Sequence, residues 1–166
     1  MAAETRHAAV SPGKGMAIVL VSKHHGNTRK VAEAIAAEHA ARLFSPAEAR
    51  QQDLSSYALA GFGSGIYYGR HDRELLKFVE ECPALPPQAF VFSTAGSPLF
   101  HRWYHRALRG RLARRSIAIV GDFTCPGWDS FGPLAWFGGL FRQRPNAADL
   151  QRATDFARQL AERKLP

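Results

Sequence analysis

The sequence is most informative first in what it lacks. Two cysteines in 166 residues are too few for a secreted disulfide scaffold, so free thiols in a reducing cytoplasm are expected. No apolar run approaches the ~20 residues that a membrane-spanning helix needs. Residues 1–15 hold no apolar block, which excludes a signal peptide there, and they read as a flexible tail ahead of a single domain over 16–166. Repeats, low-complexity segments and internal linkers are missing too. Acidic residues are scarce, 14 Asp and Glu against 22 Lys and Arg, a net charge of +8. Much of that imbalance is local. His101–Arg115 contains Arg102, Arg106, Arg109, Arg111, Arg114 and Arg115 and no acid, and without these six arginines the net charge would be only +2. A surface of this kind attracts anions: nucleic acid, acidic lipid, an acidic protein or a phosphorylated ligand.

What is present is ordinary globular material, 46% hydrophobic and 22% charged, in a chain long enough for a real core. Short apolar runs alternate with helical stripes. Met16–Val21, Tyr57–Phe62, Gln88–Ser93 and Ser116–Gly121 read as strands buried on both faces, with a brief strand at Ala41–Phe44. Between them Val31, Ile35 and His39, then Leu75, Leu76 and Val79, then Tyr104, Leu108 and Leu112 recur at helical spacing. A last stripe, Leu150, Ala153, Ala157 and Leu160, follows Asn146 as N-cap with Asp149 in the first turn. This alternation predicts a parallel sheet covered on both sides, joined by right-handed crossovers. Phe123–Arg144, rich in Gly, Pro, Trp and Phe, has no period and reads as a functional or self-packed loop.

In such a sheet ligands bind where strands end, so the loops leaving the strands are the candidates. The first is Ser22-Lys23-His24-His25-Gly26-Asn27-Thr28. Gly26 allows a tight turn, Asn27 or Thr28 can cap the helix, and successive N–H groups with the Ser22 and Thr28 hydroxyls would surround a phosphate. Lys23, His24 and His25 add positive charge. The spacing matches neither the P-loop nor the dinucleotide fingerprint. A helix cap without a ligand would use the same residues.

These residues resemble the flavodoxins, whose first loop ends in Gly-Asn-Thr and wraps the phosphate of FMN. The resemblance runs from Met16 to Leu160. It is strongest to a small flavodoxin-like branch with His-His-Gly-Asn-Thr, here His24–Thr28, and with a motif after the last strand that here reads Cys125-Pro-Gly-Trp-Asp-Ser-Phe-Gly-Pro133. It implies a flavodoxin-like, doubly wound α/β three-layer sandwich around a five-stranded parallel sheet of order 2-1-3-4-5. It implies an FMN-binding electron carrier or small oxidoreductase. Ser64, Gly65, Ile66, Tyr67, Tyr68 and Gly69 would form one wall of the flavin pocket, and Ser93, Thr94, Ala95 and Gly96 the other, with Tyr67 or Tyr68 stacking on the ring. His25 stands where flavodoxins usually carry Thr. Flavodoxins also surround the flavin with acids, whereas Arg70, His71, His101 and Arg102 flank it here, which predicts a less reducing flavin.

Other residues have competing readings. His24 and His25 with His101 and His105 suggest a metal, but adjacent histidines cannot both face one ion easily and no carboxylate motif accompanies them, so surface or phosphate-adjacent histidines and no metal are expected. Cys82 and Cys125 fall at opposite edges and should not pair, because a disulfide needs Cα atoms within roughly 7 Å. Cys125 is either a reactive thiol beside the flavin or a small buried hydrophobe. Trp128, Phe131, Trp136 and Phe137 form either a lid or loop packing. Arg102, Arg106 and Arg109 form a solvated helix face or a dock for an acidic redox partner or NAD(P)H. The Tyr-Gly-containing loop Tyr67–His71 also resembles that of quinone-linked protoporphyrinogen dehydrogenases, but Ser93–Tyr104 lacks their long insertion. The remaining alternatives are a non-redox basic module binding nucleic acid, unsupported by any nucleic-acid motif, and a flavodoxin fold that has lost FMN.

Overall fold

The computed structural model describes residues 15–23, 25–127 and 143–162. Its elements are β1 (Met16–Val21), α1 (Asn27–His39), β2 (Arg42–Phe44), α2 (Pro46–Ala49), β3 (Leu59–Tyr67), β4 (Arg70–His71), α3 (Arg73–Glu81), β5 (Gln88–Ala95), α4 (His101–Arg114), β6 (Ala118–Pro126) and α5 (Ala147–Glu162). Five strands form a parallel sheet in the order β2-β1-β3-β5-β6, and the two-residue β4 pairs antiparallel with the end of β3. The expected doubly wound sheet is therefore present, with one small strand added.

The alternation of side chains along the strands divides the core. Ile18, Leu20, Phe90 and Phe92 pack beneath α1 and α5 with Val31, Ile35, Ala153 and Ala157. Ala17, Val19, Phe62 and Val91 pack on the opposite face with Leu75, Val79, Leu108 and Leu112 of α3 and α4. Because all five strands run the same way, their carboxyl ends share one edge, where ligands of open α/β sheets bind.

Three boundaries differ from the sequence reading, each for a local reason. β3 does not stop at Phe62. Gly63, Ser64 and Gly65 continue the ladder, paired with Leu20 and Val21 on one side and Phe92, Ser93 and Thr94 on the other. Glycine is needed there as a space rather than as a turn, since a Cβ on Gly61 would overlap the Phe90 ring and one on Gly63 the Phe92 ring. β5 and β6 likewise run on to Ala95 and Pro126, paired residue by residue. On α4 the buried stripe is His105, Leu108 and Leu112 rather than Tyr104, Leu108 and Leu112, so a histidine holds a core position. The Asn146 cap is present: its side chain accepts from Asp149 N–H, and the Asp149 carboxylate accepts from Asn146 N–H, both at 3.0 Å.

Candidate functional site

The first loop joins β1 to α1 at the carboxyl edge. Gly26, not Asn27 or Thr28, occupies the N-cap position, with φ of 65° and open space where a Cβ would stand. Having no side chain, it makes no cap bond of its own, and the first turn carries no acidic residue. Ser22 Oγ accepts from Arg29 N–H at 3.3 Å, which leaves the Ser22 hydroxyl proton to donate elsewhere. Asn27 and Thr28 are buried, and Thr28 Oγ1 meets Thr94 Oγ1 at 2.9 Å. Gly127, just past β6, completes the junction: its N–H donates to the Ala95 carbonyl, and a Cβ there would press on Thr94 and Asn27. The first loop and the ends of β5 and β6 are thus held together around the positive end of a 13-residue helix.

Lys23 turns away from this junction. Its ammonium pairs at 2.8 Å with Asp72, the buried N-cap of α3, so its charge is largely neutralised there. His25 sits at φ 54° within the turn. His24 lies outside the described residues.

Gly65 to His71 form a hairpin. Ile66 and Tyr67 pair with His71 and Arg70, and the two turn residues, Tyr68 and Gly69, both have positive φ, of 51° and 74°. That is the turn whose twist matches a two-residue hairpin. Ser64 anchors its base. The Ser64 hydroxyl oxygen accepts from Asp72 N–H and shares a hydrogen bond with His71 Nδ1, each at 2.9 Å, and lies 2.8 Å from the Gly65 carbonyl.

A second histidine mirrors the first. His105 Nε2 lies 2.9 Å from Ser93 Oγ and 3.1 Å from Thr124 Oγ1, and the two hydroxyls are 2.9 Å apart. Ser64, Ser93 and Thr124 are register partners on three adjacent strands, so they form a row of hydroxyls above the apolar core on the α3–α4 face. The two imidazoles sit over that row, 5.1 Å apart, and His71 Nε2 and His105 Nδ1 are buried without a hydrogen-bond partner. Burial holds His71 well below the ordinary histidine range, with repulsion from His105 adding to it. Burial also pushes His105 down to about 4, against the pull of Asp122. Both rings are neutral at pH 7. This corrects the expectation that His71 contributes positive charge to the site: it is buried within the hairpin base, and Arg70 carries the charge.

Residues 18–98 match the family model for the flavodoxin domain. The chain also aligns at 37% identity over 143 residues with an uncharacterised protein of Methanocaldococcus jannaschii, covering 86% of this chain and 95% of the relative. This chain belongs to the flavodoxin family. Solved structures place its fold there as well. An archaeal flavodoxin superposes with a TM-score of 0.63 at 17% identity, covering 89% of this chain and 96% of the other. Flavodoxin 2 from Bacillus cereus gives 0.67 at 16% identity, covering 90% and 99%. Rubredoxin oxygen:oxidoreductase from Desulfovibrio gigas gives 0.64 at 13% identity, covering 91% of this chain and 36% of that longer protein.

Within this flavodoxin-family chain the remaining candidates divide clearly. Cys82 and Cys125 are both buried and unpaired, as expected. Burial, with the Asp149 carboxylate adding to it, pushes the Cys125 thiol up to about 12, so it is a buried hydrophobe rather than a reactive thiol. Trp128, Phe131, Trp136 and Phe137, with most of the Cys125–Pro133 motif, lie outside the described residues. A groove of about 970 Å³ opens on the other side of Lys23, lined by Tyr67, Arg70, Lys77 and Arg111 among others, and none of residues 25–28 or 93–96 lines it. No described helix is long and apolar enough to cross a membrane. Thr124 was missed by sequence reasoning, and His105, read as a surface or phosphate-adjacent histidine, is instead fully buried. The signal available was a histidine at helical spacing with Leu108 and Leu112, opposite hydroxyl residues at inward strand positions.

Proposed function

We propose that this chain is an FMN-binding redox protein, an electron carrier or a small FMN-dependent oxidoreductase, acting as a single domain over 16–166. The observation that carries this reading is the α1 terminus, with no side-chain cap at Gly26, free of carboxylates and facing the carboxyl edge between the Gly65–His71 hairpin and the end of β5. The donor set fits a phosphate monoester. Ser22, Lys23, His24, His25, Gly26, Asn27 and Thr28 would hold it through N–H groups, hydroxyls and the helix dipole. Ser64, Gly65, Ile66, Tyr67, Tyr68 and Gly69 would line one side of the ring and Ser93, Thr94, Ala95 and Gly96 the other. Ser64 and Ser93 offer backbone only, because their hydroxyls are held by His71 and His105.

Bound FMN supplies reversible electron transfer, and the protein's residues set where its potential lies. Exposed Arg70 and Arg102 favour added negative charge, which supports a less reducing flavin than an acidic surround gives. Neutral His71 and His105 do not contribute to that shift. An acidic redox protein or NAD(P)H is the expected exchange partner, and two buried unpaired thiols are in keeping with a cytoplasmic setting. Titrating the apoprotein with FMN, FAD and riboflavin tests the reading. Tight FMN and weak riboflavin binding is expected; equal affinity for the two would remove the phosphate loop from the account.

A further inference from the structure

Among the described residues, the large hydrophobic side chains that stand mostly in solvent are Tyr68, Leu99, Phe100 and Trp103, 61–83% exposed. Tyr68 belongs to the hairpin wall of the proposed pocket. The other three do not, and they share one corner of the molecule: Leu99 and Phe100 close the short turn that leads into α4, and Trp103 stands in the first turn of that helix. Trp103 leans on the hairpin, since a Cβ on Gly69 would lie 3.2 Å from its Nε1, yet it remains 65% exposed. A single solvated aromatic needs no explanation, but a leucine, a phenylalanine and a tryptophan side by side form an apolar tip that marks an interaction surface.

The helix behind this tip carries charge of one sign. His105, Leu108 and Leu112 are its buried stripe, so Trp103, Arg106, Gly110 and Arg114, at spacings of three and four, form its outer crest. Arg102, Arg106 and Arg114 are exposed, and none pairs with an acid among the described residues. Arg114 folds back along the crest, for a Cβ on Gly110 would lie 3.9 Å from its Nη1. The helix itself contains no acid, and Asp122 and Glu80, which reach it from neighbouring elements, are neutralised by Arg109 and Arg111 at 2.9 and 3.3 Å. Unpaired positive charge therefore runs the length of α4, about 18 Å from Arg102 to Arg114, with the apolar tip at its start.

This arrangement selects among anionic partners. Nucleic acid would take the arginines on its phosphates and stack bases on the two aromatic rings, but it has no use for Leu99, the most exposed of the three. A protein–protein hot spot sets its aromatics at the centre of a polar rim, whereas here they stand at one end of a track of charge. An anionic bilayer matches both parts: its headgroups meet arginines strung along a helix, and its acyl boundary takes leucine, phenylalanine and tryptophan side chains. We infer that the outer face of α4 attaches this protein to an anionic lipid surface, with Leu99, Phe100 and Trp103 dipping into the headgroup–acyl boundary and Arg102, Arg106 and Arg114 lying against the headgroups. A small apolar tip joined to a basic track gives peripheral, reversible attachment that salt weakens. The attachment does not depend on the cofactor.

The experiment is cosedimentation of the full chain, as apoprotein and after incubation with FMN, with vesicles of phosphatidylglycerol and phosphatidylcholine in equal parts, and with vesicles of phosphatidylcholine alone, at low and high salt. A small acidic iron–sulfur protein and a single-stranded oligothymidine are titrated in parallel. Leu99→Ser tests the tip and Arg114→Glu the far end of the track. Arg158→Glu makes the same charge change on α5, across the sheet, where Arg158 pairs with Glu38. Binding to the phosphatidylglycerol vesicles is expected at low salt, alike with and without FMN, with little binding to phosphatidylcholine. Leu99→Ser and Arg114→Glu should each weaken it about tenfold and Arg158→Glu leave it close to wild type. Circular dichroism and thermal melting establish that each variant is folded. No binding to the phosphatidylglycerol vesicles, equal binding to both lipids, equal losses in Arg114→Glu and Arg158→Glu, or full binding by Leu99→Ser would overturn the inference. Tighter binding of the acidic protein or the oligonucleotide than of the vesicles would overturn it as well, in favour of that partner.

Discussion

Acidification should destabilise this protein through one identifiable side chain. His105 is fully buried on α4, bonded to Ser93 and Thr124, and its pKa is pushed down from 6.5 to about 4. Below pH 6.5 the unfolded chain takes up a proton at this position that the folded chain refuses. Stability therefore rises with pH between about 4 and 6.5 and is lost as pH falls through that window. A depression of that size corresponds to about 3 kcal/mol, a large fraction of the ~5–15 kcal/mol that holds a typical domain together. His71, shifted in the same direction by its burial, adds to the loss. Urea unfolding at pH 7 and pH 4 of the wild type and of His105→Asn measures it. Asn keeps an amide donor toward Ser93 and Thr124 but does not titrate, and its packing cost is common to both pH values. The wild type should lose about 3 kcal/mol more than the variant between the two pH values. Equal losses would show that His105 is not held neutral by its surroundings and would refute the reasoning.

Two further outcomes follow from packing. Gly63→Ala drives a methyl group into the buried Phe92 ring between three paired strands, and should cost about 1–3 kcal/mol or more in chemical denaturation; an unchanged midpoint would mean that Phe92 moves freely. Cys82 and Cys125, both buried with raised thiol pKa values, should resist a chromogenic disulfide reagent at pH 8 until denaturant is added, when two thiols react. Rapid native labelling of either would contradict its burial.

The sheet was legible in the sequence because its signals are redundant. Met16–Val21 is apolar throughout and lies between strands on both sides, and the stripe of Val31 and Ile35 faces it directly. The first loop was legible as a loop for a similar reason, since a glycine between a buried strand and an alanine-rich helix has few roles. Where the reading failed, one residue type served an uncommon purpose. Gly63 and Gly65 look like turn punctuation but continue the strand, and Gly63, like Gly61 before it, makes room for a phenylalanine ring on the neighbouring strand; that demand comes from a partner about 29 residues away. His71 and His105 look like surface charge because histidine near arginines usually is. Only the register of Ser64, Ser93 and Thr124 shows that each has a hydroxyl waiting inside. Local pattern does not encode such cross-strand coincidences.

The two histidines and the arginines have opposite electrostatic consequences although both gather at the carboxyl edge. A buried imidazole that stays neutral contributes rigidity: it fixes the hairpin base through Ser64 and the β5–β6 junction through Ser93 and Thr124, and it does so without charge. Positive potential at this edge must then come from exposed guanidinium groups, Arg70, Arg102 and Arg106, together with the α1 dipole. Exposed charges are screened within a Debye length of about 8 Å at physiological ionic strength, whereas buried ones are not. The division therefore makes the anchoring of the loops insensitive to salt and the attraction of an anionic partner sensitive to it. Moving the charge inward, as protonated histidines, would reverse both properties, and the desolvation that depresses their pKa values prevents it.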